Sequence, residues 1–306
     1  MRTQENDLPV PPRELLARTN PRYEHRSDEW FRKFYERTGR IRRAAIERAL
    51  PADFSFQGKR VLDFGCGAGR VLRQFLPEAE TGGEFWGCDL YEPTIAWLTR
   101  NHSPPFRFYV NDRRPMPHPD SYFDLVYAIS VFTHITDAWA DWLLELHRIL
   151  NPDGLLLATF IGPRSWERPL RRTVDENDLG MAMLRLGQSY ADTSGPLVLH
   201  SPWWIRAHWG RAFETATLWP HGFAWPRRRT EPEEDVERRL GRLKPGHGVF
   251  VGRKRTGDFS PEDLRRPEAG DPREDVARRQ QEGLLAAGEA ASAASRPLQP
   301  PGAPAG

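Results

Sequence analysis

The spacing of apolar residues changes near residue 59, and this change separates a helical region from a region of short strands. Over residues 29–50 the apolar side chains recur every three or four positions, as on one face of a helix, and only Gly39 interrupts them. We predict two consecutive amphipathic helices there. From Lys59 onward, short apolar runs alternate with helical stretches, which is typical of βαβ units and a mostly parallel sheet.

The apolar runs in the second region are predicted as strands of that sheet. In chain order they cover residues 60–64, 85–88, 106–110, 123–128, 155–160, 213–218 and 249–253. The runs 123–128 and 155–160 lack polar alternation, which indicates central strands covered by helices on both faces. A helix over 137–150 separates these two, and the last two runs are expected to close the sheet as an antiparallel pair.

Three regions fall outside this alternation. Residues 162–200 are too long for a plain connection, so we interpret them as a lid or substrate-selecting insertion with a short helix at 180–186. The charged stretch 227–242 indicates an exposed helix or a flexible excursion. Beyond Thr256 the chain is rich in Pro, Ala, Arg and Glu with almost no large apolar residues, so a disordered tail is expected.

These elements predict an α/β protein with a Rossmann-like, seven-stranded, mostly parallel sheet in three layers, α/β/α. We expect a helical cover over residues 1–56, the α/β domain over 57–255 and the tail over 256–306. A helix beginning at Pro202, with Ser201 as its N-cap, is expected to follow the lid.

The composition changes this picture little. Forty-four basic residues against 42 acidic ones give a net charge of +2, which does not favour a nucleic-acid partner. We find no stretch of about 18 apolar residues and no export signal, so a cytoplasmic protein without membrane contact is expected. Cys66 and Cys88 are expected at the ends of adjacent strands as reduced, buried thiols.

A glycine-rich turn follows the first predicted strand, in the sequence VLDFGCGAGR at residues 61–70. Gly65, Gly67 and Gly69 allow a sharp turn and a close approach of the backbone to a ligand. The helix expected from Arg70 points N–H groups at that ligand, which favours a carboxylate. The spacing is Gly-x-Gly-x-Gly, not the Gly-x-Gly-x-x-Gly of dinucleotide enzymes, and Asp63 lies two residues before the first glycine.

Polar side chains also follow the next two predicted strands. Asp89 and Leu90 end the second strand, in the crevice where open α/β sheets bind ligands, and a carboxylate there can accept both hydroxyls of a ribose. Asn111 and Asp112 follow the third strand, where an acidic group can accept a hydrogen bond from an adenine amino group between apolar neighbours. The acidic residues at three successive strand ends indicate a site for one elongated nucleoside.

On these motifs, residues 58–160 resemble the class I S-adenosylmethionine-dependent methyltransferases that act on small molecules. The resemblance implies that the cofactor is S-adenosyl-L-methionine. It assigns the methionine end of that molecule to Asp63, Gly65, Gly67 and Gly69. It assigns the ribose to Asp89 beside Leu90 and the adenine to Asp112, with Asn111 assisting, and it places Ser130 near the sulfonium.

The turn after the fourth strand, SVFTHI at residues 130–135, narrows the acceptor. It lacks the Asn/Asp-Pro-Pro-aromatic sequence of nucleic-acid amino methyltransferases, the paired glutamates of protein arginine methyltransferases and the aspartates of metal-dependent catechol-type enzymes. It looks like the turn in bacterial enzymes that methylate sugars, polyketides or other natural products. We therefore expect O-methylation of a sugar-like or secondary-metabolite acceptor, with no metal.

Several side chains are candidates for the acceptor site. If the acceptor is a hydroxyl, His134 is the candidate base, because it lies one turn beyond Ser130; packing or capping is the alternative. Tyr190, His200 and Trp203 are expected to line the acceptor pocket, although Trp203 packing against the sheet would give the same pattern. The aromatic residues of the first helices are expected to cover the cofactor or to pack on the sheet.

Two other functions remain open from the sequence. An NAD(P)-dependent oxidoreductase would have the same Rossmann-like fold, and its Asp89 would also bind a ribose. A non-catalytic partner protein could retain the fold as an interaction scaffold.

Overall fold

The computed structural model describes residues 8–18, 25–170, 173–184, 195–224 and 246–294. Its strands are β1 Arg60–Phe64, β2 Glu84–Asp89, β3 Arg107–Val110, β4 Phe123–Ala128, β5 Leu150–Phe160, β6 Met181–Leu184, β7 Leu197–His200, β8 Phe213–Trp219 and β9 Gly248–Lys254. A seven-stranded sheet has the order β3-β2-β1-β4-β5-β9-β8. The first five strands are parallel and β9 is antiparallel to both its neighbours, which confirms the predicted fold.

Helices flank this sheet. They are α1 Arg13–Arg18, α2 Asp28–Ala49, α3 Leu76–Glu80, α4 Glu92–His102, α5 Trp139–Ile149, α6 Glu167–Leu170, α7 Pro202–Ala212, α8 Pro261–Arg265 and α9 Pro272–Ala294. The start of α7 is as predicted, because the Ser201 side chain accepts a hydrogen bond from the Trp204 N–H and Pro202 begins the helix. No helix in these described ranges is long and apolar enough to cross a membrane.

Alternate residues of the central strands pack into different apolar clusters, which gives the three layers. Val126 belongs to the cluster that includes Leu146 of α5, whereas its neighbour Leu125 belongs to the cluster that includes Ile46 of α2. Because successive side chains of a strand point to opposite faces, the two clusters lie on opposite sides of the sheet. Cys66 and Cys88 are buried and unbridged, as predicted.

Gly39 does not interrupt the first long helix, contrary to prediction, and α2 runs continuously past it. A Cβ atom at Gly39 would lie 2.2 Å from the carbonyl oxygen of Arg70. Gly39 therefore allows α2 to approach the turn after β1 closely. The stability from this packing offsets the low helix propensity of glycine.

The α-helix predicted from Arg70 is also different in the structure. A 3-10 segment, Leu72–Phe75, precedes the short α3. Pro77 has no N–H to donate to the Arg73 carbonyl, so a regular α-helix cannot continue through this point. The Leu76 N–H bonds that carbonyl instead.

The segment 162–200, predicted as a lid, contains a small antiparallel sheet, so the short helix predicted at 180–186 is wrong. Strand β6 pairs with β7, and the Met183 N–H donates to Gln281 Oε1 of α9 at 2.7 Å. A short apolar run is compatible with either a helix or a strand, and these tertiary contacts favour the strand. Residues 185–194, between the two strands, lie outside the described part of the chain.

The expected disordered tail is wrong for residues 256–294. Ser260 and Asp263 form a capping box at the start of α8, and Leu264 is completely buried. His208 Nε2 on α7 lies 3.1 Å from a carboxylate oxygen of Glu274 on α9. One well-placed leucine and a few polar bonds thus anchor a segment whose average composition is poor in apolar residues. Residues 295–306 and the charged stretch 227–242 lie outside the described residues.

Candidate functional site

The turn after β1 is a glycine loop, residues 65–69, in which three glycines have positive φ. The values are +79° for Gly65, +52° for Gly67 and +74° for Gly69, a region that favours glycine because it has no Cβ. The N–H groups of Gly65 and Cys66 both donate to the Cys88 carbonyl at 2.9 Å, which pins the loop to β2. Because glycine has no side chain, the three glycines leave open space beside the carboxyl end of β1.

Asp89, the last residue of β2, reaches back to the glycine loop. Its Oδ2 accepts a hydrogen bond of 2.9 Å from the Gly67 N–H, and its Oδ1 accepts one of 3.1 Å from the Tyr91 N–H. Each carboxylate oxygen keeps a second lone pair for another donor. The carboxylate is therefore fixed in orientation and still able to accept hydrogen bonds from the hydroxyls of a ligand.

Two large apolar side chains stand exposed at adjoining strand ends. Leu90, directly after β2, is 61% exposed, and Val110, the last residue of β3, is 40% exposed. Asp89 and Val110 are partners in the parallel register of β2 and β3, so both apolar side chains lie at the same edge of the sheet. An exposed apolar pair at this edge is a surface that a flat apolar ligand group would cover.

The two polar residues after β3 have different environments. Asn111 is buried, and its N–H donates to the Asp89 carbonyl at 3.0 Å, so it holds the end of β3 beside β2. Asp112 is exposed. Of this predicted pair, Asp112 therefore has the side chain that a ligand at this edge can reach.

Asp63 is the buried acid of the site, 3% exposed and paired in register with Tyr127 of β4. Burial raises the pKa of Asp63 to about 8; the Tyr127 hydroxyl and Arg70 lower this pKa, and the Asp89 carboxylate raises it. The carboxyl group is thus largely protonated near neutral pH. A cation brought beside it, such as an amino acid's ammonium group, would favour its ionised form.

Helix α2 covers the glycine loop. The Tyr35 hydroxyl donates to the Ala68 carbonyl at 2.8 Å, and Phe31 and Tyr35 form a buried cluster with Ala68. Gly39 brings the helix against the backbone of Arg70. The aromatic residues of α2 therefore pack on the glycine loop, and their contact with a cofactor stays a prediction.

The chain turns sharply at Ser130, two residues after the end of β4. Its φ of +63° is uncommon for a residue with a Cβ atom. Its N–H donates to the hydroxyl of Thr159 on β5 at 2.8 Å, and its Oγ lies 3.2 Å from Nδ1 of His247. Strained residues of this kind are concentrated at functional sites.

His134 is oriented by the residue before β7, in the segment predicted as a lid. Its Nδ1 lies 2.8 Å from the carbonyl oxygen of Pro196, just before β7. Because a carbonyl oxygen can only accept, Nδ1 carries the proton, and Nε2 is the basic atom of the neutral ring. The Val198 N–H donates to the Thr133 carbonyl at 2.8 Å, so β7 and the turn that carries His134 are joined directly.

Sequence reasoning missed two residues of this region, His247 and Arg42. His247 precedes β9, and burial lowers its pKa to about 4, with further lowering from Arg42 and His134. Burial also lowers the pKa of Arg42 on α2 to about 9, and Arg70 lowers it further. No local pattern marks either residue, because His247 is 117 positions away from Ser130 in the sequence.

Of the predicted acceptor residues, the two that the structure describes, His200 and Trp203, are both buried. His200 is completely buried between the rings of Trp204 and Trp209, so the prediction that it contacts an acceptor is wrong. Trp203 is 7% exposed and its indole N–H donates to the Glu176 carbonyl, which matches the packing alternative. Trp203 faces inward because α7 packs on the sheet. Tyr190 lies outside the described residues.

Comparison with known proteins identifies the domain. Residues 62–158 match the methyltransferase domain family. Residues 62–158 are a class I S-adenosylmethionine-dependent methyltransferase domain. The matched range of this chain contains the glycine loop, Asp89, the end of β3 and the Ser130 turn. The methyl donor of this family is S-adenosylmethionine.

Methyltransferases of different acceptor classes are similar to this chain. It is 34% identical over 134 residues to the fatty-acid O-methyltransferase of Mycolicibacterium smegmatis, covering 41% of this chain and 47% of that protein. It is 29% identical over 146 residues to the ubiquinone/menaquinone biosynthesis C-methyltransferase of Paraburkholderia xenovorans, covering 45% and 56%. The chain thus spans about half the length of the curated relatives it matches.

A solved structure shows the same fold. A putative S-adenosylmethionine-dependent methyltransferase from Listeria monocytogenes superposes with a TM-score of 0.50 at 18% identity, over 71% of this chain and 98% of that one.

The residues of the methyltransferase site fit the family's donor. The exposed side chains of Leu90 and Val110 offer an apolar surface to adenine, and the free lone pairs of Asp89 suit ribose hydroxyls. The glycine loop gives space to the methionine part, and buried Asp63 offers a carboxyl group to its ammonium.

Proposed function

We propose that this protein is an S-adenosylmethionine-dependent O-methyltransferase of a small organic acceptor, of the sugar-like or secondary-metabolite class. The observation that carries the proposal is the Asp89 carboxylate, held at 2.9 Å by the Gly67 N–H beside the exposed Leu90. This arrangement is complementary to a nucleoside whose ribose faces the carboxylate and whose base covers the leucine.

In this proposal the chain's own groups bind, orient and exclude water. S-adenosylmethionine, when bound, supplies an electrophilic methyl group on a sulfonium. Asp63, Asp89 and Asp112 bind its polar ends, and α2 closes over the glycine loop. The Ser130 turn, fixed by Thr159, holds the acceptor side of the site in a defined geometry, which is the main catalytic requirement of an in-line transfer.

Oxygen is the favoured acceptor atom because histidines stand at the Ser130 turn. The Nδ1–H of His134 is bound by the Pro196 carbonyl, so Nε2 is the atom that can receive a hydroxyl proton. The similarity to the fatty-acid O-methyltransferase of Mycolicibacterium smegmatis agrees with oxygen as the acceptor atom.

Calorimetric binding of S-adenosylhomocysteine is the test of the donor site. We expect the full chain to bind it and not to bind NADH. Replacing Asp89→Ala should weaken this binding by about tenfold or more, because the ribose hydroxyls lose a charged acceptor. Asp53→Ala is the matched control, because Asp53 is exposed and lies near Lys59 at the opposite ends of the strands.

The same measurement separates the other functions that the sequence left open. Binding of NADH in place of S-adenosylhomocysteine would favour an oxidoreductase. Binding of neither ligand would favour a non-catalytic partner protein and would overturn the proposal. For His134, unchanged turnover of the true acceptor by His134→Ala would remove the role of base.

A further inference from the structure

The outer edge of β6 is paired by a side chain of the C-terminal helix α9. Gln281 Oε1 accepts a hydrogen bond from the Met183 N–H at 2.7 Å, and Gln281 Nε2 lies 3.4 Å from the Met183 carbonyl oxygen. An N–H and a carbonyl of the same residue are the groups that a neighbouring strand pairs in a sheet. The amide of Gln281 therefore takes the place of one residue of a further strand.

The residue opposite Met183 connects this contact to the candidate site. Met183 and Val198 are partners in the antiparallel register of β6 and β7. The Met183 N–H points away from β7 to Gln281, and the Val198 N–H points away from β6 to the Thr133 carbonyl. The two residues therefore form a non-hydrogen-bonded pair of the ladder, whose backbone groups need partners on the outer edges. Gln281 meets this pair on one edge, and Thr133 meets it on the other.

The position of β7 in turn decides the proton of His134. The Pro196 carbonyl oxygen, two residues before Val198, lies 2.8 Å from His134 Nδ1. A shift of the strand by about 1 Å would take this contact beyond hydrogen-bond distance. Nδ1 would then lose the acceptor that keeps its proton, and Nε2, the basic atom of the proposed site, would carry the proton in part of the molecules.

Apolar contacts place α9 firmly on the β6–β7 sheet. Leu284, three residues after Gln281, packs against the cluster that includes Ala182 and Leu199. A Cβ atom on Gly180 would lie 3.1 Å from the Cβ of Ala277, so the helix also approaches the residue before β6 closely. A two-stranded sheet is marginally stable by itself. The position of β6 and β7 therefore depends on α9.

We propose that Gln281 is a positioning residue of the acceptor side. By holding β6 it fixes β7 and the Pro196 carbonyl, and through them it sets the tautomer of His134. The inference rests on the proposed function, because His134 is the candidate base of that methyl transfer. It makes α9, which lies outside the matched range 62–158, a part of the structure that prepares the acceptor site.

Nitrogen NMR of the full chain, labelled with ¹⁵N in histidine, tests this connection at its far end. The spectra are recorded at about pH 8.5, where an ordinary imidazole is neutral, and His134→Ala assigns the signals by their loss. We expect the Nδ1–H tautomer at His134 in the unmodified protein and both tautomers in Gln281→Met, since Met is a helix former of similar size without the amide. An unchanged tautomer in Gln281→Met would overturn the proposal.

The conservative variant Gln281→Glu separates the hydrogen bond from the packing of the side chain. Glutamate keeps an oxygen that can accept from the Met183 N–H, so most of the Nδ1–H tautomer of His134 should return. Failure of Gln281→Glu to restore it would contradict the role of this bond. Glu282→Ala is the matched control at the adjacent position and should leave the tautomer unchanged, because the Glu282 side chain is 61% exposed.

Amide hydrogen exchange follows the steps between the two ends. In Gln281→Met, the Met183 and Val198 N–H groups should exchange faster by about three- to tenfold, because one hydrogen bond is lost from the edge that holds them in place. Both rates should stay the same in Glu282→Ala. Faster exchange at Met183 alone, with His134 unaffected, would reduce Gln281 to a local structural contact, and the proposal would be wrong.

Calorimetry with S-adenosylhomocysteine separates this inference from the proposed function. Gln281→Met should change the affinity for this ligand by less than about twofold, because its connections lead to the acceptor side and not to the glycine loop. A loss of about tenfold would place the effect of α9 on the donor site and contradict the proposal. If the unmodified chain does not bind S-adenosylhomocysteine, the proposed function fails. Retained binding with an unaltered His134 tautomer in Gln281→Met removes the role of Gln281 alone.

Discussion

A Cβ atom on Gly65 would lie 2.4 Å from Cγ2 of Val131, so the glycine loop and the turn after β4 are in direct contact at this point. The first holds the predicted donor site, and the second carries Ser130 and leads to His134. Gly65 therefore joins the two parts of the site as well as providing a φ of +79°.

Replacing Gly65→Ala should lower the free energy of unfolding by about 2–4 kcal/mol, because the strained backbone and the clash with Val131 add. Gly58→Ala isolates the first effect, since Gly58 has a φ of +69° and a Cβ atom there would have nothing within 4 Å. We expect about 1 kcal/mol for this control. Denaturant unfolding of both variants is the measurement.

The double variant Gly65→Ala with Val131→Ala tests the clash itself. Without Cγ2, the remaining contact is with the Val131 Cβ at 3.7 Å, an ordinary distance. The cost of Gly65→Ala in this background should fall to that of Gly58→Ala. An equal cost in both backgrounds would contradict the contact.

Asp63 should make the stability of the ligand-free protein fall as the pH rises from about 4 to about 8. Its pKa is 3.8 in the reference state and about 8 when folded, so between these values the folded protein binds more protons than the unfolded chain. The unfolding free energy therefore decreases with pH in this window. Thermal unfolding across this range, compared with Asp63→Asn, is the measurement.

The comparison with Asp63→Asn removes the other groups that titrate in the same window. Buried histidines such as His118, whose pKa is lowered to about 4, act in the opposite direction on the acid side and are present in both proteins. Identical pH profiles for the two proteins would mean that Asp63 does not hold a proton. Near neutral pH, S-adenosylhomocysteine should release a proton from Asp63, and calorimetry in buffers of different ionisation enthalpy detects it.

Leu90→Ala should weaken S-adenosylhomocysteine and adenosine alike, by about tenfold, because an adenine ring loses the apolar surface that it covers. The melting temperature should stay the same, since Leu90 is 61% exposed. Calorimetry with both ligands is the measurement. A weaker binding of S-adenosylhomocysteine without any change for adenosine would place the adenine elsewhere.

Leu264→Ala should destabilise the protein by about 2–5 kcal/mol, because it empties a completely buried position on α8. Glu262→Ala on the same helix is the control and should change stability by less than about 0.5 kcal/mol, since its side chain is 78% exposed. Denaturant unfolding gives both values. Equal stability of the two variants would instead support the disordered tail that the composition predicts.

The features that the sequence determined are those encoded by neighbouring residues. The period of the apolar residues specified the strands of the seven-stranded sheet, and the glycine spacing with Asp89 at the end of β2 predicts the donor site. A strand's period and a loop's φ preferences depend on a few consecutive residues. These signals can therefore be recognised in a single sequence without knowledge of the fold.

The tertiary structure alone decided which distant residues meet at the acceptor side. His247 lies beside Ser130 across 117 positions, and the Pro196 carbonyl meets His134 across 62. It also decided that His200 is buried and that Leu264 anchors the C-terminal segment. Such contacts depend on how separate elements pack, and packing is a property of the whole chain, which no local pattern records.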